Sequence, residues 1–266
     1  MHGTVQSVTW LTPAMVRVVL GGEGLAGFEA PVETDAYVNV AIPPEHAPYG
    51  APFDLEHIRN EQPDELQPYR RRYTVRRFAP DDGQLTLDIV VHADGPGGLW
   101  ASGAEPGDVL VLTGPGGGYR PDPTADHHLL AGDESALPAI GASLEHLDAG
   151  AHGTALLVVD GPEQELDLRH PPGVQLRWLH RSGNEAADER LLPDAVAALP
   201  ELPGRTHAFV HGEAAEVREV RRHLLGERQL SRSELSCSPY WRRHMDDEAW
   251  RGVKRAWNDE VERDVA

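Results

Sequence analysis

The sequence predicts a two-domain protein of the β plus α/β class: an N-terminal antiparallel six-stranded β-barrel over residues 1–121, then an open parallel α/β domain over residues 122–266 that ends in a helix. Three observations carry that expectation. A chain of 266 residues exceeds the usual size of one domain. The first part alternates β-prone runs with Gly, Pro and Asp turns. The second part alternates wholly apolar runs with helical segments, the rhythm of a parallel sheet buried on both faces.

In chain order the barrel strands are expected at Val5–Trp10, Met15–Leu20, Tyr37–Ile42, Tyr73–Phe78, Leu85–Val91 and Val109–Leu112. Residues 43–70 break the rhythm with prolines and charges, which predicts a long loop with one helical turn near Leu55–Ile58. Gly114-Pro115-Gly116-Gly117-Gly118 lacks the spacing and following helix of a dinucleotide loop and reads as a turn. Beyond Pro121, strands are expected at His128–Asp133, Ala155–Asp160, Gln175–Leu179 and His207–His211, with helices at Ala136–Leu147, Asp194–Leu199 and Ala214–Leu225. Residues 246–263 place Trp250, Val253, Trp257 and Val261 on one helical face, which makes a packing helix, with a dimer contact as the other option.

Composition narrows the chemistry. A formal net charge of −19 argues against general affinity for nucleic acid or anionic membranes, so an anionic ligand needs a local basic pocket. No run of eighteen apolar residues and no basic start before an apolar stretch is present, so neither a membrane span nor a signal peptide is expected and a cytoplasmic location follows. The single cysteine, Cys237, excludes an internal disulfide and a four-thiolate iron–sulfur cluster, and reads as a packing residue. Fourteen histidines are scattered, and His127-His128 on a strand face opposite ways, so no protein-held metal is expected. Walker A, His-Glu-x-x-His, Cys-x-x-Cys and Gly-x-Ser-x-Gly patterns are absent.

Arg71-Arg72-Tyr73-Thr74-Val75-Arg76 combines basic, aromatic and hydroxyl side chains on one expected strand. Alternation sends Arg71, Tyr73 and Val75 to one face and Arg72, Thr74 and Arg76 to the other. Three further blocks follow in order: Asp88-Ile89-Val90-Val91-His92 with Gly95-Pro96-Gly97-Gly98-Leu99-Trp100-Ala101; Ala131-Gly132-Asp133-Glu134-Ser135 through Ile140; and Gly212-Glu213-Ala214 leading to Tyr240-Trp241-Arg242. With these four blocks the chain resembles the siderophore-interacting proteins, the FAD-dependent ferric-siderophore reductases of ferredoxin-reductase-like architecture, over nearly its full length.

The resemblance implies a reductase that passes electrons from NADH or NADPH through FAD to a ferric siderophore and releases Fe2+. It assigns Arg71 to a phosphate, Tyr73 to stacking on the flavin, and Thr74 to the neighbourhood of N5 as the residue nearest the chemistry. Arg72 and Arg76 are left to solvent. Asp88, Val90 and His92 would lie along the ribityl and adenosine parts, and Gly97, Gly98, Leu99 and Trp100 would lie at the pyrophosphate, with a helix starting near Leu99. The family commonly has Ala-Ser-Arg where this chain has Gly97-Gly98-Leu99, so a hydroxyl and a positive charge are missing and backbone donors take their place. Asp133 and Glu134 would border the flavin and the incoming nicotinamide, as would Gly212 and Glu213, although Asp133 also reads as a capping residue and Glu213 as a first-turn acid.

Asp160 and Arg181 point to opposite nicotinamide donors and leave that choice open. Arg242, Arg243 and Lys254, with His244 where the family usually has glycine, are the candidates for an anionic ferric complex; the other reading is a solvated basic stretch. Two rivals remain: a flavin-bearing siderophore-binding module without turnover, and a ferredoxin- or flavodoxin-type reductase. The oligomeric expectation is a monomer.

Overall fold

The computed structural model describes residues 1–91, 95–183 and 185–264, and the chain divides into two units, Met1–Gly118 and Tyr119–Ala266. In the first unit β1 (His2–Thr12), β2 (Met15–Gly21), β3 (Tyr37–Ile42), β4 (Tyr69–Ala79), β5 (Gln84–Val90) and β6 (Val109–Gly116) close into a barrel of order β1-β2-β5-β4-β3-β6, with every neighbouring pair antiparallel. Period-two alternation sends Val16, Val18 and Leu20 of β2, Val38 and Val40 of β3, and Leu85, Leu87 and Ile89 of β5 into the interior, each 0% exposed. Burying each such aliphatic side chain contributes about 1.5–3 kcal/mol. The intervening residues face outward, among them Arg17 and Asp88, which are direct cross-strand neighbours.

Four expectations are corrected in this unit. β4 begins at Tyr69, inside the expected loop, and its register with β5 shifts between Val75 and Arg77. That bulge interrupts the alternation, so Phe78 joins Tyr73 and Val75 against the barrel core and Arg77 stays outside. The segment Gly114-Pro115-Gly116 extends β6, with Gly116 opposite Tyr37, instead of forming a turn. Helix α1 (Leu55–Glu61) is longer than one turn, because Asp54 caps it by accepting from the amides of Glu56 and His57 at 2.8 and 2.9 Å. Helix α2 (Pro96–Gly103) begins at Pro96, a residue suited to the first helical position, so Gly97 and Gly98 form its first turn.

The second unit is a parallel sheet of β7 (His127–Gly132), β8 (His152–Val159), β9 (Gly173–His180), β10 (Thr206–Glu213) and β11 (Leu235–Trp241) in the order β11-β10-β7-β8-β9. Helices α4 (Glu185–Ala197) and α5 (Ala214–Gly226) cover the face bearing Leu129, Ala131, Leu156, Val158, Ala208 and Val210. Leu130, Leu157 and Phe209 have the opposite parity and are equally buried, on the face where α3 (Leu137–His146) packs against β7. Strand order reverses between β7 and β10, and in open sheets ligands dock beyond the carboxyl ends of the strands at such a reversal.

β11 was not expected from the sequence. It is an edge strand of half-buried Ser236, Cys237 and Ser238 with a proline at 239, a composition that only an edge tolerates. Cys237 packs against the sheet core, its thiol 3.7 Å from the Val217 carbonyl. α4 starts at Glu185 instead of Asp194. The C-terminal helix α6 (Asp247–Arg263) buries Trp250, Trp257 and Val261 with Ala214, while Val253 turns out to be 39% exposed.

Candidate functional site

Arg71 and Tyr73 share the inner side of β4 near its N-terminal half, and both reach the first turn of α2. A Cβ added at Gly97 would stand 1.8 Å from the Tyr73 hydroxyl oxygen, 3.0 Å from its Cζ and 3.5 Å from Arg71 Cγ. Glycine at 97 therefore lets the phenol end of Tyr73 rest on the helix backbone. The N-cap of α2 is Gly95, which has no side chain to close off the first-turn amides. The Arg71 stem, a half-buried flat ring and helix N-terminal amides thus meet at Gly97, while the Arg71 guanidinium donates to the Arg70 carbonyl at 3.0 Å and lies 5.8 Å over the Tyr69 ring. Trp100 packs inward against the barrel core, Leu99 is 55% exposed, and Gly98 is buried.

The outer face of β4 and β5 is differently built. Thr74 is buried opposite Tyr37. Arg72, on the same face, lies 5.1 Å over the Tyr37 ring and donates to Asn39 Oδ1 at 3.3 Å. Arg76, expected to face solvent, is covered and stands 3.7 Å from Asp88 Oδ2. Asp88 is itself gripped by Arg17 through two parallel 2.7 Å bonds, so both its oxygens face guanidinium groups. Val90 ends β5 on this face, half-buried. His92 lies outside the described residues.

At the reversal point of the second unit, Asp133 is 2% exposed and saturated. Its Oδ1 accepts from the Ser135 amide at 2.9 Å and the Ser135 hydroxyl at 2.5 Å, and its Oδ2 accepts from the Trp241 indole at 2.7 Å. Gly212 has φ +144, and a Cβ there would meet the Asp133 carboxylate at 2.7 to 3.1 Å, so this close approach requires glycine. Glu213 caps α5, accepting from the amides of Ala215 and Glu216 at 2.6 and 3.1 Å on one oxygen and from the Arg243 amide at 3.2 Å on the other.

Two more residues complete this cluster, one that the sequence reading passed over and one that it quoted only within a family block, Tyr240-Trp241-Arg242. Glu216 is 1% exposed and accepts from Arg243 Nη2 at 2.6 Å. Burial, with the Asp133 and Glu213 carboxylates beside it, pushes its pKa up to about 8 against the pull of Arg243. Trp241 is the other, through its bond to Asp133. The spacing Glu213-x-x-Glu216 is that of a cap and its third helical residue, a signal that would have singled out Glu216.

Asp160 and Arg181 touch each other. Arg181 Nη1 donates to Asp160 Oδ1 at 3.0 Å, and the same guanidinium grips Glu134 at 2.5 and 2.9 Å. Although burial opposes its charge, the bond and charge of Glu134 hold Arg181 above its ordinary pKa. Each of the three basic candidates for substrate has a contact within the unit. Arg243 pairs with Glu216, Lys254 donates to the Pro239 carbonyl at 2.6 Å, and Arg242 lies 5.9 Å over the Trp250 ring. Among the described residues, no group of three or more His, Cys, Asp or Glu is arranged to hold a metal ion. No described helix is long and apolar enough to cross a membrane.

A flavin dinucleotide requires donors for its phosphates and a flat apolar support for its ring system, and Arg71, the first-turn amides of α2 and Tyr73 fit both needs. Comparison with known proteins agrees. Residues 4–119 match the model of the siderophore-interacting FAD-binding domain, and residues 125–244 match that of the siderophore-interacting protein. An uncharacterized protein of Mycobacterium tuberculosis is 40% identical over 92% of this chain and 91% of its own length. The ferric vibriobactin reductase of Vibrio cholerae is 36% identical over 94% of this chain and 92% of its own. The crystal structure of a siderophore utilization protein from T. fusca superposes with a TM-score of 0.81 at 36% identity, over 93% of this chain and 94% of that one. With both of its units matched, the chain belongs to the siderophore-interacting protein family and carries that family's FAD-binding domain.

Proposed function

We propose that this protein is a flavin-dependent reductase that takes electrons from NADH or NADPH and delivers them to a ferric siderophore, freeing the iron as Fe2+ inside the cell. The observation that carries the reading is the Arg71–Tyr73–Gly97 cradle at the uncapped start of α2, within a unit that matches an FAD-binding domain. FAD, when bound, supplies the chemistry that turns a two-electron hydride donor into a source of single electrons for iron.

This chain's residues have binding and orienting tasks. Arg71 neutralises a phosphate oxygen through its planar fork, with the first-turn amides of α2 beside it. Tyr73 supports the ring system, and Thr74, held on β4 by the ladder to Tyr37, offers a hydroxyl and an amide to the flavin edge. In the second unit Asp133 and Glu213 hold the carboxyl ends of β7 and β10 in shape around Gly212, and the nicotinamide is assigned to that end of the sheet. Arg242 has a ring beneath it instead of a carboxylate, so its charge is the one assigned to an anionic ferric complex, while Arg243 and Lys254 brace the segment around it. Catecholate and hydroxamate oxygens are hard ligands that hold Fe2+ far less tightly than Fe3+, so release needs no metal ligand from the protein.

The purified chain is expected to be yellow. Under anaerobic conditions NADH or NADPH should bleach the flavin, and a ferric siderophore added with a ferrous chelator should restore the colour and give the ferrous complex. No bleaching by either donor would remove nicotinamide from the account and leave a binding module or a protein-fed reductase. Bleaching without ferrous product would remove the siderophore.

A further inference from the structure

We propose that the second unit selects NADH over NADPH, with Asp160 placed to receive the adenosine ribose hydroxyls and Arg181 withheld from a 2′-phosphate. The inference rests on the reading that a nicotinamide dinucleotide is the donor.

β8 is the second strand of this unit in chain order and neighbours the first, β7, and Asp160 is the first residue past its carboxyl end. In open sheets that bind dinucleotides, an acidic residue beyond the second strand pairs with a ribose 2′-hydroxyl, whereas an arginine nearby accommodates a 2′-phosphate. From sequence the two residues compete. In the fold they are joined: the guanidinium of Arg181 binds Asp160 at 3.0 Å and spends its other contacts on Glu134, at 2.5 and 2.9 Å.

Exposure then decides which charge faces a ligand. The Arg181 side chain is 10% exposed and that of Glu134 16%, while that of Asp160 is 69% exposed. The accessible charge of the trio is therefore a carboxylate. Two carboxylates against one guanidinium leave the group negative overall, and a 2′-phosphate would bring a further charge of about −1.5 to −2. For Arg181 to bind that phosphate it would have to leave Glu134, stranding a largely buried carboxylate without its partner. A ribose 2′-hydroxyl makes no such demand and donates directly to the exposed carboxylate.

Binding of ADP-ribose and of its 2′-phosphate to the full chain, followed by calorimetry, tests this apart from turnover. The expected result is that ADP-ribose binds at least ~10-fold more tightly, since like-charge juxtaposition is costly. Asp160→Ala, a change at an exposed side chain, should reduce that ratio to about threefold or less while the fold is retained. In parallel, anaerobic bleaching of the bound flavin should be faster with NADH than with NADPH by a similar ratio. The proposal is overturned if the phosphorylated fragment binds as well as or better than ADP-ribose, if Asp160→Ala leaves the ratio unchanged, or if neither fragment binds at millimolar concentration. Flavin that neither donor bleaches, with the ADP-ribose preference intact, would defeat the nicotinamide-fed reductase reading and leave the ribose site standing.

Discussion

Leu99 occupies the fourth position of α2, 55% exposed, where the family pattern has arginine. Without a ligand, an arginine there would sit at the positive end of a helix dipole and weaken the fold by a few tenths of a kcal/mol. With a phosphate at the first turn the sign reverses, because a charge-assisted bond at a solvent-facing position is worth about 1.5 kcal/mol. Leu99→Arg is therefore expected to tighten FAD binding about tenfold while slightly lowering the urea midpoint of the apoprotein. Flavin-fluorescence titration beside apoprotein denaturation checks both halves, and an unchanged affinity would move the pyrophosphate away from α2. Gly97 is the companion departure: the family's alanine would stand 1.8 Å from the Tyr73 hydroxyl oxygen, so glycine at 97 and the pose of Tyr73 are one feature. His244 is the third. Its φ of +61 lies in the left-handed region, which is the physical reason a glycine is the family's habit at this turn.

Among elements, legibility followed the strength of periodic burial. β2, β3 and β5 alternate over much of their length and β7, β8 and β10 carry apolar runs, so their type could be read directly, while β8 starts three residues before its expected run and β10 ends two residues after. β11 could not, because an edge strand of serines, a cysteine and a proline carries no buried period. α2 was placed late because two glycines read as a turn, although the fold uses them for a close backbone approach to Tyr73. The residues assigned to the flavin strand follow from a motif, but no local pattern could tell that Arg17 and Arg76 occupy Asp88, since that depends on strand pairing and a bulge. The same holds at the start of α5, where Glu216 becomes unusual only once Asp133 and Arg243 arrive from just past the ends of β7 and β11.

Its pKa of about 8 against an ordinary 4.5 gives a definite sign. Between those values the folded chain keeps a proton that the unfolded chain has released, so this group costs nothing at pH 4 and progressively destabilises the fold as pH rises to 8. The full cost is on the order of 5 kcal/mol, reached above pH 8. Glu216→Gln holds the neutral form throughout and keeps an acceptor for Arg243. Urea unfolding followed by tryptophan fluorescence should find variant and wild type similar near pH 5 and the variant clearly more stable at pH 9. Parallel stability curves would mean that Glu216 ionises normally beside Arg243.

For the molecule as a whole, charge poses the sharpest question. The chain carries −19, yet β4 alone presents Arg70, Arg71, Arg72, Arg76 and Arg77. At low ionic strength, about 10 mM, the Debye length is roughly 30 Å, so an approaching trianionic ferric catecholate feels the net negative field of the entire protein. Near 150 mM it shortens to about 8 Å, which screens distant carboxylates while charges within contact range of the bound complex still act. Salt should therefore raise kcat/KM for a trianionic siderophore, by about threefold or more across this range, through a faster encounter. A neutral ferric hydroxamate, which the field neither repels nor attracts, should show little change. Measuring both substrates over the same salt series separates encounter from flavin reduction, since the donor step is common to the two. A fall in kcat/KM for the anionic complex would instead mean that the arginines of β4 and their neighbours dominate the approach, and that the acidic surface lies out of the substrate's path.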